Sequence, residues 1–198
     1  MIDWIKHLPA IIVVLPLLVA VIAALLPARF GWVLALLATA GSALASMVMM
    51  TDFMTRWAGY RMSYHLGGWA PPWGIEFSVD HATALVIMVI SGLGFVATMS
   101  SKSLFANEIS SDDLGRVYGA WLLTFGGLLG LVMTADAFNL FVFFEISSLA
   151  SVTLVAMGGG YDKRALIAAF NYLIIGAIGA TFYVIGVVFC YAMTGTLN

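Results

Sequence analysis

A single ionisable residue, Glu145, interrupts the otherwise uncharged run Ala137–Met157, AFNLFVFFEISSLASVTLVAM. A carboxyl group at the centre of a bilayer-length apolar segment is costly to keep there, and acids held at that depth belong to proton relays and ion paths. Loss of water favours the neutral form of a carboxyl and a nearby cation favours the charged one. An acid with an adjustable neighbour can therefore take up and release a proton near neutral pH. The alternative is a structural acid that stays protonated and bonds Ser148, three residues along the same helical face. No lysine or arginine falls inside any long apolar segment, so a cationic partner at membrane depth is expected from another chain. Asp136 is the second candidate; it opens the same run in Thr-Ala-Asp-Ala-Phe-Asn, where helix capping and a relay role are both open. Asp162, Lys163 and Arg164 suit capping and interfacial anchoring, and they also stand where a cytoplasmic proton entry would lie.

Other chemistries find no support. His7, His65 and His81 have no metal-ligand spacing, and the 11 methionines are scattered. The single cysteine, Cys190, forms no intrachain disulfide and reads as a packing residue. Phosphate-binding glycine loops and nucleophile elbows are absent, so neither a cofactor nor bond-breaking catalysis is expected. A net charge of −2 without a basic cluster argues against nucleic acid as a partner.

The elements that position these residues follow from composition. With 63% hydrophobic and 9% charged residues and a mean hydropathy of +1.06, the chain needs lipid as its solvent. The charges leave six apolar windows, residues 8–27, 31–50, 82–101, 117–135, 137–157 and 165–193, which predict an all-α polytopic membrane protein. The first window is longer than a signal-peptide core and is followed at once by a second, so it is expected to remain as a helix. Odd loops hold five lysines and arginines against three on the other side, which places both chain ends outside the cytoplasm of a plasma-membrane protein. Short turns at Pro27-Ala28-Arg29 and Thr134-Ala135-Asp136 predict antiparallel neighbours. Alternation over residues 60–66 and 75–80, around GGWAPPWG, predicts a small extracytoplasmic β-hairpin. Trp57, Trp69 and Trp73 suit an interfacial aromatic belt better than a ligand cage. Residues 100–116 read as a solvated loop. Gly126 and Gly130, and the stripe Gly176, Gly179 and Gly186 with Tyr172 and Tyr183, predict close helix contacts.

Residues 134–156, TADAFNLFVFFEISSLASVTLVA, together with GGWAPPWGIEFSVDHATAL at 67–85 and the final segment from ALIAAFNYL, resemble the D subunit of multisubunit Mrp-type Na+/H+ antiporters. That protein is similar to the proton-pumping membrane subunits of respiratory complex I and of membrane-bound hydrogenases. The resemblance implies a fold of about fourteen helices, in which two inverted five-helix repeats follow three leading ones. It also implies that Glu145 is the essential acid of the first half-channel, working with a lysine on a later helix. Where relatives often carry a lysine early in helix six, this chain has Asn171 in Ala-Ala-Phe-Asn-Tyr-Leu. The chain would form a single membrane domain, with three leading helices and the hairpin in residues 1–110 and helices four to six in 111–198. Other antiporter subunits, H+ and Na+ or another monovalent cation, and the lipid bilayer are the partners so implied; the chain is then either a truncated product or the first piece of a split subunit that a separate chain completes. A proton-pumping arm of a redox complex and a non-transporting scaffold are the competing readings.

Overall fold

Apolar segments of bilayer length satisfy their backbone only as helices, and the computed structural model of the chain, which describes residues 4–26, 28–110, 113–158 and 162–198, is built accordingly. Among the described residues six helices are long and apolar enough to cross a membrane. They are α1 (Leu8–Leu25), α2 (Ala28–Met54), α3 (His81–Glu108), α4 (Leu114–Met133), α5 (Ala137–Met157) and α6 (Lys163–Thr194). Strands β1 (Met62–His65) and β2 (Glu76–Val79) form an antiparallel hairpin with Met62 opposite Val79 and His65 opposite Glu76. The expected hairpin is therefore present. Pro27 of the first turn, and Asp3 near Lys6, lie outside the described residues.

The expected polar loop at 100–116 is largely helix. Helix α3 runs on to Glu108, and Ile109 closes it with an N–H bond to the Phe105 carbonyl. The hydroxyls of Ser100, Ser101 and Ser103 donate to carbonyls three or four residues back, so this stretch is polar without giving the backbone an alternative to the helix. Polarity there marks emergence from the apolar layer, not the end of the element.

Helix α4 is the centre of the bundle: 61% of its most apolar window is buried, against 6% for α6. It packs against α1 and α5, while α2 joins α1 to α3 and α6 lies on α5. Small residues explain the closeness. A Cβ at Gly119 would sit 2.9 Å from the Ala20 carbonyl, and one at Gly126 2.8 Å from Leu17, so this face of α4 fits α1 only through glycine. A hydrophobic cluster at one end of the bundle joins Ile12, Phe53, Phe77, Ile87, Phe125, Leu129 and Met133. The hairpin closes that end by turning Met62, Phe77 and Val79 into the cluster. At the other end, Ala20, Ala23, Ala35 and Ala38 meet Tyr118 and Leu122. Thr98 ties three helices there: its carbonyl accepts from the Trp32 indole at 3.1 Å and its hydroxyl from the Trp121 indole at 2.8 Å.

Candidate ion-translocation site between α5 and α6

Helical periodicity gives α5 two faces. Asn139, Phe143, Ser147 and Ala150 are buried. Phe143 and Ser147 lie against Gly130 and Gly127 of α4. Phe141, Glu145, Ser148 and Val152, spaced at three or four residues, line the groove toward α6. Glu145 is therefore placed between two helices, half-buried, and not on a bare outer surface.

Two cavities meet at its side chain. The larger, about 370 Å³, is bounded by Phe141 and Glu145 on α5 and by Ala177, Ala180, Thr181, Val184 and Ile185 on α6. The smaller, about 40 Å³, lies between Glu145, Ser148, Leu149 and Val152 and the facing Tyr172, Leu173, Gly176 and Ala177. A carboxyl, a hydroxyl and a phenol around such a space are enough polar groups to hold a water. Among the described residues the only acid on either lining is Glu145, and no lysine or arginine joins it.

The remaining candidates separate. Ser148 lines the smaller cavity, but its hydroxyl donates to the Glu145 backbone carbonyl at 3.4 Å and not to the carboxylate, so the side-chain bond of the structural alternative is absent. Asp136 is the N-cap of α5: its carboxylate accepts the Asn139 N–H, and the Asn139 amide in turn donates to the Thr134 hydroxyl at 2.9 Å. It stands nine positions before Glu145, about 13 Å along the helix axis. Asn171 is exposed and lines neither cavity, so the structure does not bring it to Glu145. Asp162 occupies the N-cap position of α6 without a side-chain cap bond.

Two packing expectations are corrected. A Cβ at Gly176, Gly179 or Gly186 would meet nothing within 4 Å, so this stripe makes no close helix contact among the described residues; Gly176 instead borders the smaller cavity. Cys190 is exposed on α6 and, among the described residues, is not buried as a packing residue. Sequence reasoning missed Phe141, Thr181 and Tyr172 as groove residues. The i, i+4, i+7, i+11 stripe 141–145–148–152 carried that signal for Phe141; nothing comparable marked the two residues on α6.

Capping accounts for Asp136 by itself, and this yields a prediction. Asp136→Ala should lower the thermal stability of the purified complex by about 1 kcal/mol while leaving ion flux within a few-fold of wild type. A loss of flux beyond about a hundredfold at unchanged assembly would instead give it a relay role.

Residues 134–198, from the α4–α5 link onward, match the family described as NADH:quinone oxidoreductase/Mrp antiporter, TM. The chain is 41% identical to the N subunit of the NADH-quinone oxidoreductase of Desulforudis audaxviator, over 97% of this chain and 38% of that protein. It is 29% identical to the D subunit of a Na(+)/H(+) antiporter of Bacillus subtilis, over 94% of this chain and 37% of the relative. Its fold superposes with a TM-score of 0.82 on a chain of the archaeal membrane-bound sulfane sulfur reductase, at 29% identity, covering 97% of this chain and 38% of that one. A chain of the Mrp complex from Dietzia sp. DQ12-45-1b gives the same score at 24% identity, covering 100% and 36%, and supports the fold alone. Along nearly its whole length the chain is similar to the amino-terminal portion of membrane subunits of Mrp antiporters and of NADH:quinone oxidoreductases. It spans less than two fifths of the length of these relatives.

Proposed function

We propose that the chain contributes a proton half-channel to a membrane component of a multisubunit antiporter exchanging H+ for Na+ or another monovalent cation. The observation that carries this reading is Glu145, a lone acid in an apolar span, bordering two cavities where α6 lies over α5. An acid so placed is expensive to keep, and acids retained at that depth mark ion paths and proton relays. A proton moves only if the stability of the charged form varies, and this requires a cation that approaches and withdraws. That cation comes from outside the described residues. Glu145 is the translocating acid; Ser148 and Tyr172 hold water beside it. Asp136 caps the helix that carries it. The protein lies in the plasma membrane with the hairpin and both chain ends outward, as the excess of lysine and arginine in the odd loops supports.

The second reading, a proton-pumping arm of a redox complex, is favoured by the 41% identity to a component of a quinone oxidoreductase. Flux separates the two. Everted vesicles containing the native complex should collapse an imposed ΔpH on addition of Na+, K+ or Li+ without any electron donor. Failure with all three cations, alongside acidification driven by an electron donor, would replace the antiporter with the pump.

A further inference from the structure

We propose that the β-hairpin is a clasp that fixes the rotation of α5, with Phe77 as the positioning residue that keeps Glu145 turned toward α6; this rests on the assignment of Glu145 to translocation. Phe77 is fully buried, and its ring lies 6.0 Å from that of Phe143 on α5. On its other side Phe143 lies against Gly130, where a Cβ would run into the ring. The Phe143 side chain is thus held between β2 and α4. Two helical positions separate Phe143 from Glu145, a rotation of about 200°. Locking one against the hairpin points the other into the groove.

The backbone reinforces the same join. Phe77 bridges to Thr134, and the Ala135 N–H donates to the Glu76 carbonyl at 2.9 Å, so β2 grips the link that starts α5. The Glu76 carboxylate accepts from the Ser63 hydroxyl and, at 2.9 Å, from the Asn198 amide. The Ala137 N–H donates to the Leu197 carbonyl at 2.8 Å. The Ser63 hydroxyl, then Asn198, His65 and Arg61, hold the Glu76 carboxyl below its usual range against a smaller opposing effect of burial, so it stays charged at neutral pH and its bond to Asn198 is charge-assisted. One strand thereby holds the start of α5 and the chain just past α6, which are the two sides of the Glu145 groove at its hairpin end.

The test measures the groove and the flux separately. In a Cys190→Ser background of the intact complex, Val152→Cys and Leu173→Cys place thiols on opposite walls of the smaller cavity. A short bifunctional thiol reagent should bridge them efficiently. Adding Phe77→Ala should cut the bridging yield about fivefold and, with the thiols absent, cut transport about tenfold, while Phe77→Met restores most of both. An assembled Phe77→Ala complex that bridges and transports like wild type overturns the proposal. Should Phe77→Ala fail to assemble, Phe143→Leu decides: reduced bridging supports the clasp, and wild-type bridging refutes it. Full transport by Glu145→Gln would remove the translocation reading but leave the bridging result standing, so the two failures are distinguishable.

Discussion

Glu145→Gln should abolish coupled ion exchange, lowering the flux of the assembled complex at least about a hundredfold, the scale on which a transferring acid contributes. The substitution is nearly isosteric, and the side chain is only half-buried in a groove with open space on both sides, so assembly should be unchanged. What the amide removes is the exchangeable proton. Glu145→Asp keeps that proton and withdraws it by one methylene, so partial activity is expected. Proton flux in everted vesicles, with assembly checked on native gels, decides the matter. A Gln variant that assembles and transports at the wild-type rate would make Glu145 structural and this chain a scaffold.

The second large effect lies on α4. Gly127→Val should prevent normal assembly, because a Cβ at that position would stand 2.8 Å from the Ser147 Cβ, 3.0 Å from the Ser147 nitrogen and 3.1 Å from the Phe143 carbonyl. The obstacle includes α5 backbone, which no rotamer change can move, so the helices must separate. The cost is expected at about 1–3 kcal/mol or more from overpacking alone. Gly126→Ala meets chiefly the flexible Leu17 side chain and should be milder, and Gly176→Ala, facing open space, should be close to neutral. Thermal stability of the solubilised complex across the three variants should follow that order. Equal loss at Gly127 and Gly176 would contradict this packing.

Much of the molecule is legible in the sequence, for identifiable reasons. Spans are set by a solvent that tolerates few charges, so their number and approximate centres follow from where lysine, arginine and the acids fall. The hairpin is visible because β1 and β2 alternate between core and exterior, with Phe77 and Val79 on the inward side. Glu145 is visible because nothing else in its span is charged. What escapes is direction. On a helix apolar all round, hydrophobicity does not say which face meets a neighbour and which meets lipid, and only the neighbour decides. Hence the Gly176–Gly179–Gly186 stripe suggests contact where there is space, whereas Gly127, adjacent to Gly126, lies directly against α5 backbone. The same limit hides Tyr172 and Thr181 from the groove and leaves the side taken by Cys190 unread. Asn171 enters by comparison with relatives, and side-chain direction does not bring it to the acid. The end of α3 is obscured because polar residues leaving a membrane resemble a loop in composition while their hydroxyls still serve the helix.

Helix α6 rests on α5, and among the described residues its hydrogen bonds to other elements lie in its second half and just beyond: Tyr183 to the Ala137 carbonyl at 2.9 Å, and Leu197 and Asn198 past its end. Fastening of this kind ties the width of the space beside Thr181 to the strand that holds both helices, so slackening those few bonds should reach the acid through a single element.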